Sequence, residues 1–283
     1  MFSFYKYHGL GNDFIIIDNR KGQIKLGFNT IVKMCDRSFG IGADGIVLVE
    51  ESHKADIKMK IFNSDGSKPD MCGNAVRCLG KFVYDRGIVR SSTVNVETAA
   101  GIMKLELLIR DNQVQSIRVN MGRPVFEYHA IPCTIEKTPV IGHEIAIEED
   151  KLHITSLLMG VPHTVVFSED ISDKYVMTKG KLIENLYCFP EKTNVNFVQL
   201  TSRDEISVRT WERGAGYTFA CGTGACASVV AGIINGKLDD RVLVHLRGGD
   251  LVIEWNKREE VFMEGPAEEV FLGNYTAIES RQQ

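Results

Sequence analysis

Two short segments, Met71-Cys72-Gly73-Asn74-Ala75 and Ala220-Cys221-Gly222-Thr223-Gly224, each set a cysteine and a glycine ahead of an apolar helical run. The first leads into a helix over Ala75 to Asp85, closed by Arg86-Gly87, and the second into Ala225 to Ile234, closed by Asn235-Gly236. Glycine just past the last periodic residue is a common helix stop. A device recurring at matching points of two halves is a weak internal repeat, and it favours folds that build one unit twice. At roughly 150 residues per domain, a chain of 283 residues also suggests two domains. No Pro-rich or Ser-rich linker divides the halves, so the reading is two closely packed halves with the site in the cleft between them.

Strands dominate the rest. Alternation and apolar runs predict strands at Phe4 to Tyr7, Phe14 to Asp18, Ile46 to Val49, Ile57 to Phe62, Thr93 to Thr98, Ile102 to Ile109 and Val114 to Asn120. His8 to Asp13 reads as a turn-forming run, Asn29 to Cys35 as a short helix, and Asp111-Asn112 as a hairpin turn. The first half ends near Met121-Gly122-Arg123-Pro124. In the second half the strands fall at Leu152 to Leu158, Thr164 to Phe167, Asn194 to Leu200, Glu205 to Trp211, Val242 to Leu246, Leu251 to Trp255 and Val261 to Glu264. The fold class is therefore α/β in the broad sense, a mixed α+β chain.

Composition excludes several functions. Net charge is -4 and the basic residues are scattered, so the footprint a phosphate backbone requires is missing and nucleic acid is not an expected partner. No run is long enough for a bilayer span, and the N-terminus lacks the apolar core of a signal peptide. Seven cysteines, an odd number, fit reduced thiols in the cytoplasm better than a disulfide framework. Cys72 and Cys78 lie six apart and Cys221 and Cys226 five apart, which is not the close paired spacing of structural zinc, so no metal is expected.

The repeated Cys-Gly element has a chemistry of its own. A helix N-terminus offers unpaired backbone N–H groups and partial positive charge, so it receives anions and favours a thiolate over a thiol. Glycine after the cysteine lets a ligand carboxylate approach those groups. A thiol of reference pKa about 8.5 can fall toward neutrality there. One cysteine would then act as base and its twin as acid, as inversion of a stereocentre requires. The α-proton of an amino acid is feebly acidic, and no pyridoxal motif is legible, so electrostatics must stabilise the developing charge.

At this point His8-Gly9-Leu10-Gly11-Asn12-Asp13-Phe14, Met71-Cys72-Gly73-Asn74 and Glu212-Arg213-Gly214-Ala215-Gly216 through Ala220-Cys221-Gly222-Thr223-Gly224-Ala225 resemble the signatures of the diaminopimelate epimerase family. Asn63-Ser64-Asp65-Gly66, Gly248-Gly249-Asp250 and Gly265-Pro266-Ala267 follow in the family's order, almost end to end. The resemblance implies two pseudo-symmetric domains, each a strongly curved mixed sheet around a central helix, assigned to 1–122 with 268–283 and to 123–267. It implies interconversion of LL- and meso-diaminopimelate on the route to lysine and peptidoglycan, with no cofactor and as a homodimer. By motif, Cys72 and Cys221 would be the acid/base pair. Gly73, Asn74, Gly222 and Thr223 would hold the carboxylate at the reacting centre, and Asn12, Asn63, Asn194, Glu212 and Arg213 would read the distal end. His163 and Glu212 would bias the protonation of the cysteines. Three positions depart from the pattern: Gly45 stands where many members have Gln, Val161 where many have Asn, and Tyr217 where Glu is frequent.

Structural readings compete with these. Cys35, Cys78, Cys133, Cys188 and Cys226 read as small apolar core residues. Gly9, Gly11, Gly42 and Gly45 read as turn formers, and a lone histidine such as His163 is more often structural. The rival functions are a cofactor-independent racemase of another amino acid, a thiol redox protein, and a non-catalytic carboxylate-binding module.

Overall fold

A computed structural model describes residues 1–256 and 259–276. The stretch 277–283 of the first assigned domain lies outside the described residues. Two compact units emerge, Met1–Val119 with Gly265–Gln283, and Asn120–Glu264. In chain order the first unit contains β1 (Phe2–Gly9), β2 (Asn12–Asp18), α1 (Phe28–Cys35), β3 (Gly45–Glu50), β4 (Ile57–Asn63), α2 (Gly73–Asp85), β5 (Thr93–Thr98), β6 (Gly101–Arg110) and β7 (Gln113–Asn120). The second contains β8 (Val140–Ile147), β9 (Asp150–Met159), β10 (Val161–Phe167), α3 (Asp173–Glu184), β11 (Asn194–Leu200), β12 (Glu205–Glu212), β13 (Gly216–Tyr217), α4 (Gly222–Ile234), β14 (Arg241–Leu246), β15 (Gly249–Glu254) and β16 (Phe262–Gly265). Strand β17 (Glu268–Tyr275) returns to the first unit.

The pairings make the repeat explicit. In the first unit β17, β1 and β2 pair antiparallel, β2 runs parallel to β3, β3 antiparallel to β4, β4 parallel to β5, and β5, β6 and β7 form a meander. The second unit repeats the same succession through β8, β9, β10, β11, β12, β14, β15 and β16. Parallel neighbours need a crossover connection, and helices supply it. Thus α1 and α3 occupy the first crossover of each unit, and α2 and α4 the second. The outermost strand differs in origin, since β17 arrives from the far end of the chain whereas β8 directly precedes β9, and the second unit adds the short β13 against the end of β12.

Burial follows from this topology. Helix α2 contacts β1, β2, β3, β4, β6 and β17, and α4 contacts β9, β10, β11, β12 and β15, so each is a central helix wrapped by a curved mixed sheet. Nearly all of α4 is buried, including Ala225, Cys226, Val229, Val230 and Ile233, which suits its almost uniformly apolar sequence. Strand β2 is buried through Phe14, Ile15, Ile16 and Ile17, as expected for a parallel neighbour covered on both faces. Ile15 and Ile17 join Ile31 and Met34 of α1 in one core, and Ile154, Val195 and Phe197 join Val176 and Ile183 of α3 in the equivalent one. Each such fully buried side chain contributes about 1.5–3 kcal/mol.

Several sequence expectations require correction. Helices α2 and α4 begin at Gly73 and Gly222, two and three residues before Ala75 and Ala225, because first-turn glycines are tolerated where tertiary packing fixes the turn. The run His8 to Asp13 is mostly strand: His8 pairs with Asp13 and Gly9 with Asn12, which leaves only Leu10 and Gly11 in the turn, at φ 59° and 84°. Leu10 adopts that disfavoured conformation with its side chain buried. Strand β8, helix α3, the short β13 and β17 had no counterpart in the sequence reading. The Asp111-Asn112 turn occurs as expected, both residues left-handed. Among the described residues no helix is long and apolar enough to cross a membrane.

Candidate active site

In the first unit, Cys72 is the N-cap of α2, extended at φ -143° and ψ 119°, and half-buried. Gly73 and Asn74 follow as its first helical residues, both buried. Asn12, the first residue of β2, meets this helix start: its Oδ1 accepts from Asn74 Nδ2 at 3.0 Å and lies 3.9 Å from Cys72 Sγ. The other end of the Asn12 amide donates to Asp44 Oδ2 at 2.7 Å, and Arg37 Nη2 donates to Asp44 Oδ1 at 2.7 Å. On the helix side, the fully buried Arg77 donates from Nη2 to Asn74 Oδ1 at 2.8 Å. An arginine at one end and a carboxylate at the other therefore fix both amides head to tail.

Asn63 is less directly engaged. It pairs with Gly45 at the end of β4, and its side-chain amide donates to Ser67 Oγ at 2.8 Å within the following turn. Gly45 itself has no room for a side chain, since a Cβ there would lie 2.5 Å from Phe62 O.

In the second unit, Cys221 is the N-cap of α4, at φ -118° and ψ 107°, and is buried. Its sulfur accepts from Gly224 N at 3.3 Å and lies 3.5 Å from Thr223 Oγ1. Burial first, and then the carboxylate of Glu212, push this thiol well above its ordinary pKa, against the opposing donors Thr223 and Gly224. This reverses the expectation of a lowered value. In a buried site, desolvation of the thiolate and a neighbouring negative charge outweigh the helix dipole. Glu212, at the end of β12, also accepts from Thr218 Oγ1 at 2.5 Å.

Asn194 opens β11 beside His163 of β10, and its Oδ1 accepts from Arg213 N at 2.7 Å. The Arg213 side chain donates from Nη1 to Glu191 O at 2.9 Å. His163 is fully buried, its Nδ1 lies 3.1 Å from Asn196 Nδ2, and burial followed by the charge of Arg213 lowers its pKa to about 3. Tyr217 donates to Asp173 Oδ1 at 2.7 Å and stacks on Arg247 at 4.3 Å. Val161 begins β10 opposite Met159. The sequence-derived residues thus form two clusters: Cys72, Gly73, Asn74 and Asn12 in one unit, and Cys221, Gly222, Thr223, Glu212, Arg213, Asn194 and His163 in the other.

A model of the diaminopimelate epimerase family matches residues 4–127 and 155–270. The diaminopimelate epimerase of Pelotomaculum thermopropionicum is 49% identical over 96% of this chain and 98% of its own length. That of Desulfitobacterium hafniense is 46% identical over 95% and 96% respectively. Among solved structures, a hydroxyproline epimerase from Agrobacterium vitis aligns with a TM-score of 0.70 over 96% of this chain and 91% of that one. At 15% identity this last likeness speaks for the fold alone.

Sequence reasoning passed over Arg37, Asp44, Arg77, Asn196 and Thr210, which support these clusters from behind. Arg77, Asn196 and Thr210 carry one sequence signal, polarity at positions where the helix or strand pattern calls for a core residue, whereas Arg37 and Asp44 lie in the loop between α1 and β3 and carry none. The electrostatics of Cys221 lead to a measurable outcome. Alkylation by iodoacetamide, followed by peptide mass spectrometry in the substrate-free protein, should be slow at neutral pH and rise as pH climbs past the ordinary thiol range. Glu212→Gln removes the charge that favours the thiol and should move that rise to lower pH; no movement would mean that burial alone sets it.

Proposed function

The chain belongs to the diaminopimelate epimerase family, and from that membership we propose that it interconverts LL- and meso-diaminopimelate with Cys72 and Cys221 as the acid/base pair. The observation that carries this reading is the recurrence of a cysteine N-cap at the second crossover helix of two identically ordered units. One cysteine, as thiolate, removes the α-proton, the electron pair of that C–H bond moves onto the carboxylate, and the other thiol returns a proton from the opposite face. Cys221 rests as a thiol and is the proton donor in one direction. In reverse Cys221, left as thiolate by the forward transfer, is the base, and Cys72, left as thiol, returns the proton, with Glu212 biasing Cys221 toward its protonated form.

The first-turn amides at Gly73 and Asn74 and at Gly222 and Thr223 receive the carboxylate of the reacting centre, where fixed dipoles meet the charge as it develops. Asn12, Asn63, Asn194, Glu212 and Arg213 read the distal amino-acid end, and His163 biases the protonation of the thiols. Relatives that carry the diaminopimelate epimerase name over 95–96% of this chain support this substrate over a racemase of another amino acid. Gly45, Val161 and Tyr217 are where a different distal end would be accommodated. The odd cysteine count supports a cytoplasmic enzyme, which cell fractionation would test.

We place the active form as a homodimer formed through β17. That strand pairs with β1 and exposes Val270, Phe271 and Leu272 at 54%, 45% and 56%, an apolar run of the kind a partner surface covers. Sedimentation should give a dimer for the native chain and a monomer for Val270→Asp/Leu272→Asp; a monomeric native chain would refute the assembly. Cys72→Ser and Cys221→Ser should each slow epimerisation of LL-diaminopimelate by ~10²–10⁴-fold or more, with thermal stability held within about 1 kcal/mol. Near-native turnover in either variant, or turnover of some other amino acid alone, would count against the reading.

A further inference from the structure

A three-residue hydrogen-bond chain runs behind the start of α4. Asn196 and Thr210 are cross-strand partners on β11 and β12, and Thr210 Oγ1 donates to Asn196 Oδ1 at 3.0 Å. Asn196 Nδ2 in turn donates to His163 Nδ1 at 3.1 Å. Asn196 and His163 are both completely buried. The other ring nitrogen, His163 Nε2, is also buried and has no hydrogen-bond partner among the described residues.

The direction of the Asn196 amide fixes the rest. Its Oδ1 lies so close to Gly224, in the first turn of α4, that a Cβ on that glycine would collide with it. The first turn of a helix carries partial positive charge, so the carbonyl end of the amide belongs there. The amide NH₂ is then left for His163, and an imidazole that accepts at Nδ1 carries its proton on Nε2. A buried N–H without an acceptor is costly to keep, and it persists where a ligand or a reacting group supplies the acceptor.

We propose that Asn196 is a positioning residue that locks His163 as the Nε2–H tautomer, so that the ring serves as a buried hydrogen-bond donor to an anion, a substrate carboxylate or a cysteine thiolate. The identity of the anion rests on the epimerase reading, whereas the tautomer does not. The ring stays neutral over the working pH range, since burial holds its pKa at about 3. With Nδ1 taken by the Asn196 amide, the neutral ring has only its Nε2–H to offer, and it offers it as a donor.

Nitrogen-15 NMR of the full-length protein with labelled histidine reads this directly. The expected spectrum has a bare Nδ1 and a protonated Nε2 for His163. Asn196→Asp replaces the donor with a carboxylate, which should draw the proton to Nδ1, reverse the spectrum and lower kcat by ~100-fold or more, as a wrong tautomer does in other acid/base sites. Thr210→Val removes only the donor that pins the amide, and it should give a mixture of tautomers with a smaller loss, which keeps the test open if Asn196→Asp does not fold. Two arms separate the anions. A shift of the Nε2 proton on adding diaminopimelate to Cys72→Ser/Cys221→Ser assigns a carboxylate. A shift with rising pH in substrate-free protein that is absent from the serine variants assigns a thiolate. An Nδ1–H ring in the native chain, tautomers unmoved by both variants, or silence in both arms would overturn the proposal. Loss of the epimerase activity with the Nε2–H signal intact would strike the epimerase reading and leave the tautomer lock standing.

Discussion

Each unit depends on a buried crossover helix whose first-turn amides have no acceptor within the helix. Sheet strands cover almost every face of α2 and α4. Their N-termini are therefore set in place by the core itself. Cys72 and Cys221 cap those termini from extended backbone, each passing its carbonyl to the first helical bond, Val76 N at 3.0 Å and Ala225 N at 2.9 Å. Packing energy from strands such as β2 and β11 thereby becomes positional precision at two sulfur atoms and the amides beside them.

The electrostatics at these termini are a contest. The helix end favours an anion, but burial disfavours any charge, and at Cys221 burial wins with the help of Glu212. A thiol that rests protonated beside a carboxylate and two hydrogen-bond donors is suited to giving a proton away and taking one back. The polar chains behind the clusters hold the neutral groups in single orientations. Arg77 and Asp44 bracket the Asn74 and Asn12 amides, and Thr210 and Gly224 orient Asn196. Such pre-oriented networks cost little reorganisation when charge moves.

Much of this was legible in the sequence wherever local chemistry and the fold agree. The two Cys-Gly helix starts, the Asp111-Asn112 turn and strand Asn194–Leu200 could be read because turn residues and alternation point the same way as the tertiary structure. The helix starts were read late because glycine in Gly73-Asn74 and Gly222-Thr223-Gly224 looks like a breaker until packing is known. Helix α3 was missed with Gly180 in its interior. Strand β17 was missed because its partner β1 lies at the other end of the chain. The lowered thiol pKa inferred from helix position failed at Cys221 because burial and the approach of Glu212 are tertiary facts. Asn196 and Thr210 carry no motif, and only strand register brings them to His163.

In the proposed reaction two different thiols handle one α-hydrogen from opposite faces. The most direct measurement follows the first turnovers of LL-diaminopimelate in heavy water by NMR and mass spectrometry. Two thiols predict meso product carrying solvent deuterium at the inverted centre while unreacted LL substrate keeps its protium. Meso product that retains the original protium, or substrate that exchanges without inversion, would contradict the account.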